Sequence, residues 1–139
     1  MIVLDSNVLS ETLRQRPEEA VQRWIKAQSA SSLFTTTVCE AEIFYGIALL
    51  PPGRRRTALA QAVAAIFAEE FFGRILPFDS AAARAFAEIA AARRRLGRPI
   101  DDFDAQTAAI ARSCSAAIAT RNVDDFADCG IVVIDPWRA

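Results

Sequence analysis

Acidic residues stand wherever this chain could do chemistry. Asp5 closes a short apolar run, and Glu40 and Glu42 lie in a segment of helical spacing. Asp101, Asp102 and Asp104 open another such segment, while Asp124 and Asp125 follow the polar run Thr120-Arg121-Asn122. Carboxylates can hold a hard cation, activate water, or act as general acid and base. Here they must do so largely alone, because none of the 139 residues is histidine. That absence excludes Ser-His-Asp and Cys-His hydrolases, histidine-based ribonuclease chemistry and HExxH metal centres. Lys26 is the single lysine, so a mechanism that needs a catalytic lysine must use it or fail.

Each acid also has a plainer reading. Asp5 suits a helix cap, and the acids around positions 40 and 101 suit the positive end of a helix dipole. Glu40 and Glu42 project about 200° apart at ~3.6 residues per turn, so only one of them can face a common site. Taken together the acids imply more, since like charges that converge need a cation to coexist. Without histidine or paired thiols that cation is a hard one, Mg²⁺ or Mn²⁺ on oxygen ligands. Metal-assisted phosphodiester hydrolysis is the reaction that follows most directly.

The elements that must position these acids alternate between strand and helix. Met1 to Leu4 reads as a buried parallel strand, and Asp5 or Ser6 can cap a short helix to about Arg14. Pro17, with Glu18 and Glu19, starts a helix whose apolar face carries Val21, Trp24 and Ile25. Leu33 to Thr37 is β-prone, and Val38 to Leu50 has helical spacing that ends at Pro51-Pro52-Gly53. A long Ala-rich helix is predicted over Arg54 to Glu70, then an edge strand at Ile75 to Pro77. Ser80 is expected to cap a helix running to about Gly97, and Asp101 one running to about Ser113. Two strands follow, Ala116 to Ala119 and Ile131 to Ile134, with a turn of helix at Asn122 to Phe126 between them. Alternation of this kind predicts one α/β domain over residues 1–139, a parallel sheet covered on both faces. Ligands bind such sheets outside the carboxyl ends of the strands, where the acids recur.

Composition narrows the function classes. The chain is 53% hydrophobic with 16 basic against 17 acidic residues, which excludes a disordered chain and disfavours indiscriminate nucleic-acid binding. Cys39, Cys114 and Cys129 are scattered and odd in number, so neither a thiolate zinc site nor a redox motif is expected. Cys39 and Cys114 sit in apolar helical patterns and read as small core residues. Asp5 interrupts the apolar start, so no signal peptide is expected. No apolar run approaches the ~18 residues of a membrane span, and the expected location is the cytoplasm.

Five segments carry a specific resemblance: Met1-Ile2-Val3-Leu4-Asp5-Ser6-Asn7-Val8, Glu42-Ile43-Phe44-Tyr45-Gly46, Asp104-Ala105-Gln106-Thr107-Ala108-Ala109-Ile110-Ala111, Ala119-Thr120-Arg121-Asn122, and Asp135-Pro136-Trp137. In order and spacing the chain resembles PIN-domain toxins of the VapC type, in particular the FitB-like branch of type II toxin–antitoxin systems. The resemblance implies a three-layer α/β/α fold with a central, mostly parallel sheet of about five short strands. It implies a Mg²⁺-dependent endoribonuclease, with Mn²⁺ as the other candidate ion. Asp5, Glu42 and Asp104 match the acidic motif, with Asp5 and Asp104 as the direct ligands and Glu40 set aside. Asn122 stands where many relatives carry a fourth acid, which leaves Asp124 or Asp125 as substitutes at a second metal. Asn7 and Thr120 match polar positions near such sites.

The resemblance also implies partners: an RNA substrate, a second copy in a homodimer, and a VapB- or FitA-like antitoxin through which DNA is reached indirectly. The antitoxin tail would cover the active site, and the Trp24 helix or the Ala-rich helices could offer it an apolar surface. Arg54-Arg55-Arg56 and Arg93-Arg94-Arg95 with Arg98 are basic clusters, each either a solvated helix end or an RNA-phosphate contact. Two rivals remain. A phosphoryl-accepting domain is disfavoured because its late-strand lysine is missing and the Asp5-Ser6-Asn7 run lacks a second acid. A weakly catalytic or non-catalytic dimer that helps an antitoxin bind operator DNA is the stronger alternative, and Asn122 is what keeps it open.

Overall fold

The computed structural model describes residues 1–139. Five short strands, β1 (Ile2–Leu4), β2 (Leu33–Thr36), β3 (Ile75–Leu76), β4 (Ala117–Ala119) and β5 (Val133–Ile134), form one sheet in the order β3-β2-β1-β4-β5. Every pairing is parallel, with Ile2 against Leu33 on one side of β1 and Ile2 against Ala117 on the other. The chain first builds outward from β1 through β2 to β3, then returns to place β4 on the free side of β1. The strand order therefore reverses between β1 and β4, and a crevice opens beyond their carboxyl ends.

Side chains alternate across this sheet, so neighbouring residues feed different cores. Leu4, Leu33 and Ala119 pack with α1 (Ser6–Thr12), α2 (Glu19–Ala27), α3 (Thr37–Ala48) and α4 (Arg54–Ala65) through Val8, Leu9, Val21, Ile43, Ile47 and Val63. Val3 and Ile118 point the other way, towards α5 (Ser80–Arg95) and α6 (Asp102–Ser113). Ala108, Ala109 and Ala111 are fully buried on α6, which lets that helix lie close to the sheet. The result is the expected three-layer α/β/α sandwich.

Several element ends differ from expectation for local reasons. Asp79, not Ser80, caps α5, its carboxylate accepting from the Ala82 N–H at 2.9 Å. The Ala-rich helix stops being α-helical at Ala65 and continues as a π-helical turn over Ile66–Glu70, which brings Phe67 and Phe71 into the core. Pro17 lies before α2 rather than in its first turn, because Glu18 is the N-cap residue. The last two strands are shorter than predicted, since only Ala117–Ala119 and Val133–Ile134 find ladder partners. Cys114 is not a core residue. It follows the end of α6 and is exposed, while Cys39 and Cys129 are buried.

Candidate metal centre at the sheet switch point

β1 delivers Asp5 to the crevice directly. Its backbone N–H donates to the Ala119 carbonyl at 3.0 Å, which extends the β1–β4 ladder by one rung. One carboxylate oxygen accepts from the Ser6 N–H at 2.8 Å and so caps α1. The other accepts from the Thr120 hydroxyl at 2.8 Å and the Asn7 amide at 3.2 Å. Capping and site geometry thus share one side chain. Thr120 Oγ1 also accepts from the Asn7 amide and from the Asn122 N–H, each at 3.1 Å. The Arg121 N–H closes the network on Asn7 Oδ1 at 3.2 Å. Every donor to the Asp5 carboxylate is neutral, and Asp5 is only 3% exposed.

Two further acids enter the same cleft from helices. Glu42 comes from α3 and Asp104 from the first turn of α6, and with Asp5, Asn7, Arg121 and Asn122 they line a space of about 450 Å³. Ligand atoms of Asp5, Glu42 and Cys39 all lie within 4.8 Å of one another, a cluster that Asp104 lines but does not join. Burial is the largest cause of a raised carboxyl pKa at each acid. It lifts Asp5 above the usual range despite the Thr120 and Ser6 hydrogen bonds. Burial, then the charges of Asp5 and Asp104, push Glu42 up to about 7. Burial, then Asp5, push Asp104 up to about 6. These carboxylates repel one another, and none of the three forms an ion pair within the chain. Burial and the Asp5 charge push the Cys39 thiol up to about 12, so it remains S–H and points its proton at Asp5 Oδ1, 3.8 Å away. A neutral thiol is a poor ligand. The charged donors are all oxygen, which fits Mg²⁺ or Mn²⁺ better than a thiophilic metal.

Residues 2–131 match the PIN domain. This chain belongs to the PIN-domain family. The plasmid stability protein StbB of Pseudomonas syringae pv. tomato is 39% identical over 100% of both chains. The VapC ribonuclease Y4jK of Sinorhizobium fredii is 36% identical over 99% of both. Toxin FitB of Neisseria gonorrhoeae is 34% identical over 99% of both. The crystal structure of FitAcB from that organism superposes with a TM-score of 0.94 at 34% identity, covering 100% of both chains. The structure of FitAB bound to an IR36 DNA fragment gives 0.92 at 34% identity, over 99% of this chain and 96% of that one.

Within this PIN domain the predicted residues separate clearly. Glu42 lines the cleft and Glu40 does not. Asn122 lines it through an uncommitted side chain, and its wall is shared with a second cleft that holds Asp124, Asp125 and Asp135. Asp125 stays outside the acid cleft, although its charge is felt at Asp5 and Asp104. Arg93 belongs in sequence to a basic cluster, yet it is 5% exposed. Its guanidinium donates to the Arg98, Asp125 and Ala127 carbonyls, which ties α5 to the loop after β4. That contact is structural. Arg98 instead pairs with Asp128, so the supposed cluster is split. Arg54 to Arg56 open α4, and Arg55 lines a cleft.

Two features of the site escaped the sequence. Glu11, on α1, is buried in the cleft wall and neutralised by Arg14 at 3.2 Å, with the Glu18 N–H as a further donor. The i,i+3 spacing of Glu11 and Arg14 was the available signal. The second feature is an apolar groove of about 670 Å³ between α1, α3 and α4, lined by Leu13, Ile43, Ile47, Leu50, Leu59 and Val63. It meets the acid cleft at Ser6, Ser10, Arg14 and Glu42. The Ala-rich helix contributes to this surface. Trp24 does not, being half-buried against the core.

Proposed function

We propose that this PIN domain is a Mg²⁺-dependent endoribonuclease, with Mn²⁺ as the alternative ion, and the toxin of a type II toxin–antitoxin pair. One observation carries the reading. Three acids with raised pKa converge on the switch point of a parallel sheet, in a chain without histidine. Asp5, Glu42 and Asp104 would hold the ion, and Asn122 would orient water or phosphate through its amide. A bound divalent cation supplies charge neutralisation for the carboxylates and the phosphodiester, and makes water a better nucleophile. The chain's own residues do the rest. Thr120, Asn7 and the Ser6 N–H fix both Asp5 oxygens, so no reorganisation is needed when substrate arrives. Burial and the neighbouring carboxylates push Glu42 up to about 7 in the metal-free chain, so a bound cation would favour its ionised, ligating form.

The names of the relatives support RNA as substrate and an antitoxin as partner. In this reading a FitA- or VapB-like chain occupies the apolar groove and reaches the acid cleft. The toxin forms a homodimer, and DNA is contacted through the antitoxin. The test incubates purified, antitoxin-free protein with total RNA, with Mg²⁺ or EDTA, beside Asp5→Asn. Cleavage is expected only in wild type with Mg²⁺. Cleavage that survives both EDTA and the substitution would sink the mechanism. No cleavage of any RNA would favour the second reading, a non-catalytic dimeric partner in operator binding, which rests on the uncharged Asn122 at the site.

A further inference from the structure

Two cations, Arg14 and Arg121, line the acid cleft, and they are differently employed. Arg14 spends its charge on Glu11. Arg121 takes part in none of the ion pairs of the structure and donates no side-chain hydrogen bond, although carboxylates line the clefts on both sides of it. It is nevertheless held at two points. Its backbone N–H is bound to Asn7 Oδ1, and the Asn7 amide in turn donates to Asp5. Its guanidinium lies over the Trp137 ring, 5.1 Å from the centroid.

Trp137 is itself informative. It lines the cleft from the C-terminal turn, where its N–H is bound to Asp135 Oδ1 at 2.9 Å. Its indole N–H is buried without an acceptor in the protein. A phenylalanine would fill that wall without burying an unpaired donor, but tryptophan is the best cation–π surface. The contact with the ring uses none of the guanidinium's N–H donors, and no hydrogen bond or ion pair of the chain does either, so the fork that grips a phosphate bidentately is unspent.

We infer that Arg121, seated on Trp137, binds an RNA phosphate flanking the scissile one as the strand crosses the ridge between the acid cleft and the cleft beside it. Arg121 touches substrate, and Trp137 is a positioning residue that acts through it. The inference rests on the ribonuclease reading. Because both anchors exist before RNA arrives, little side-chain entropy remains to be lost on binding. A phosphate contact of this kind positions the strand without reading its sequence.

The test compares wild type, Arg121→Ala, Arg121→Lys and Trp137→Phe on one short single-stranded RNA that wild type cleaves. KM and kcat are measured with Mg²⁺, and the affinity for labelled RNA is measured in EDTA across a salt series. Arg121→Ala is expected to raise KM and weaken binding about 10-fold, with kcat within about 3-fold, and to make the log–log salt slope shallower by about 0.7. Arg121→Lys keeps the slope and recovers only part of the affinity. Trp137→Phe retains the ring and gives a smaller KM rise with an unchanged slope. Wild-type cleavage with an unchanged KM and salt slope in Arg121→Ala would overturn this inference alone. A collapse of kcat with KM intact would also overturn it, by moving Arg121 into the chemical step. A wild type that neither binds nor cleaves RNA removes the ribonuclease reading, and this inference with it.

Discussion

Helix α1 carries a buried carboxylate at each end of its acid-cleft face, and the two live differently. Glu11 is 5% exposed and has Arg14 as a counter-charge, with the Glu18 N–H as a further donor. Asp5 is 3% exposed and has only neutral donors, with Glu42 and Asp104 nearby rather than a cation. A buried charge requires compensation. Glu11 finds it within the chain in Arg14, whereas Asp5 has only neutral hydrogen-bond donors. The difference separates an acid paired within the cleft wall from one with no counter-charge in the chain.

The largest expected effect separates the two acids by activity. Asp5→Asn and Asp104→Asn are each expected to lower RNA cleavage by about 100-fold or more, the order lost when a preorganised charge-stabilising group is removed. Glu40→Gln, outside the cleft, leaves the rate unchanged. Comparable losses from Glu40→Gln and Asp104→Asn, in a single-turnover assay, would show that the site has been misassigned.

Metal and pH are then expected to act through Asp5, Glu42 and Asp104. The folded-state pKa of Glu42 is raised from 4.5 to about 7 and that of Asp104 from 3.8 to about 6. Across that window the folded state binds more protons than the unfolded state, so metal-free stability falls as pH rises. Melting of the metal-free protein is expected at a higher temperature at pH 5 than at pH 8. Mg²⁺ restores stability at pH 8 and has little effect at pH 5, where the acids hold their protons. A metal-free melting temperature that climbs from pH 5 to pH 8 would contradict the uncompensated cluster.

The smallest effect separates the two carboxylates by stability. Glu11→Gln is expected to cost about 1–2 kcal/mol in denaturant unfolding, a charge-assisted contact discounted for the exposure of Arg14. Asp5→Asn is expected to cost less than Glu11→Gln in the metal-free protein, because removing a desolvated charge offsets the acceptor lost to the Thr120 hydroxyl and the Asn7 amide while one oxygen still caps α1. A large destabilisation by Asp5→Asn would make Asp5 a structural acid like Glu11.

Much of the fold was legible from local pattern. The apolar run Ile2–Leu4, the proline-glycine stop after α3 and the cap at Asp101 each follow from neighbours in sequence, and each appears where expected. The misread residues are those whose surroundings come from elsewhere in the chain. Cys114 looked apolar by periodicity, but α6 ends at Ser113 and leaves it outside. Arg93 looked like a surface cation, yet the carbonyls of Asp125 and Ala127, more than thirty residues away, draw it inward. Trp137 gave no local sign that it would carry Arg121, because their pairing depends on β4 and the C-terminal turn meeting beside the cleft.

The sequence by itself determined the chemistry available: oxygen donors and no imidazole, one lysine, and acids placed at the ends of strands and the starts of helices. Side-chain types and short-range spacing are properties of the chain, so these conclusions need no coordinates. Only the tertiary structure decided which acids share a cleft, which one is neutralised, and which arginine is left unpaired. Those outcomes depend on desolvation and on distances between segments up to 115 residues apart, as between Asp5 and Thr120. The parallel sheet brings such segments together at its switch point, where burial raises the pKa of otherwise ordinary carboxylates.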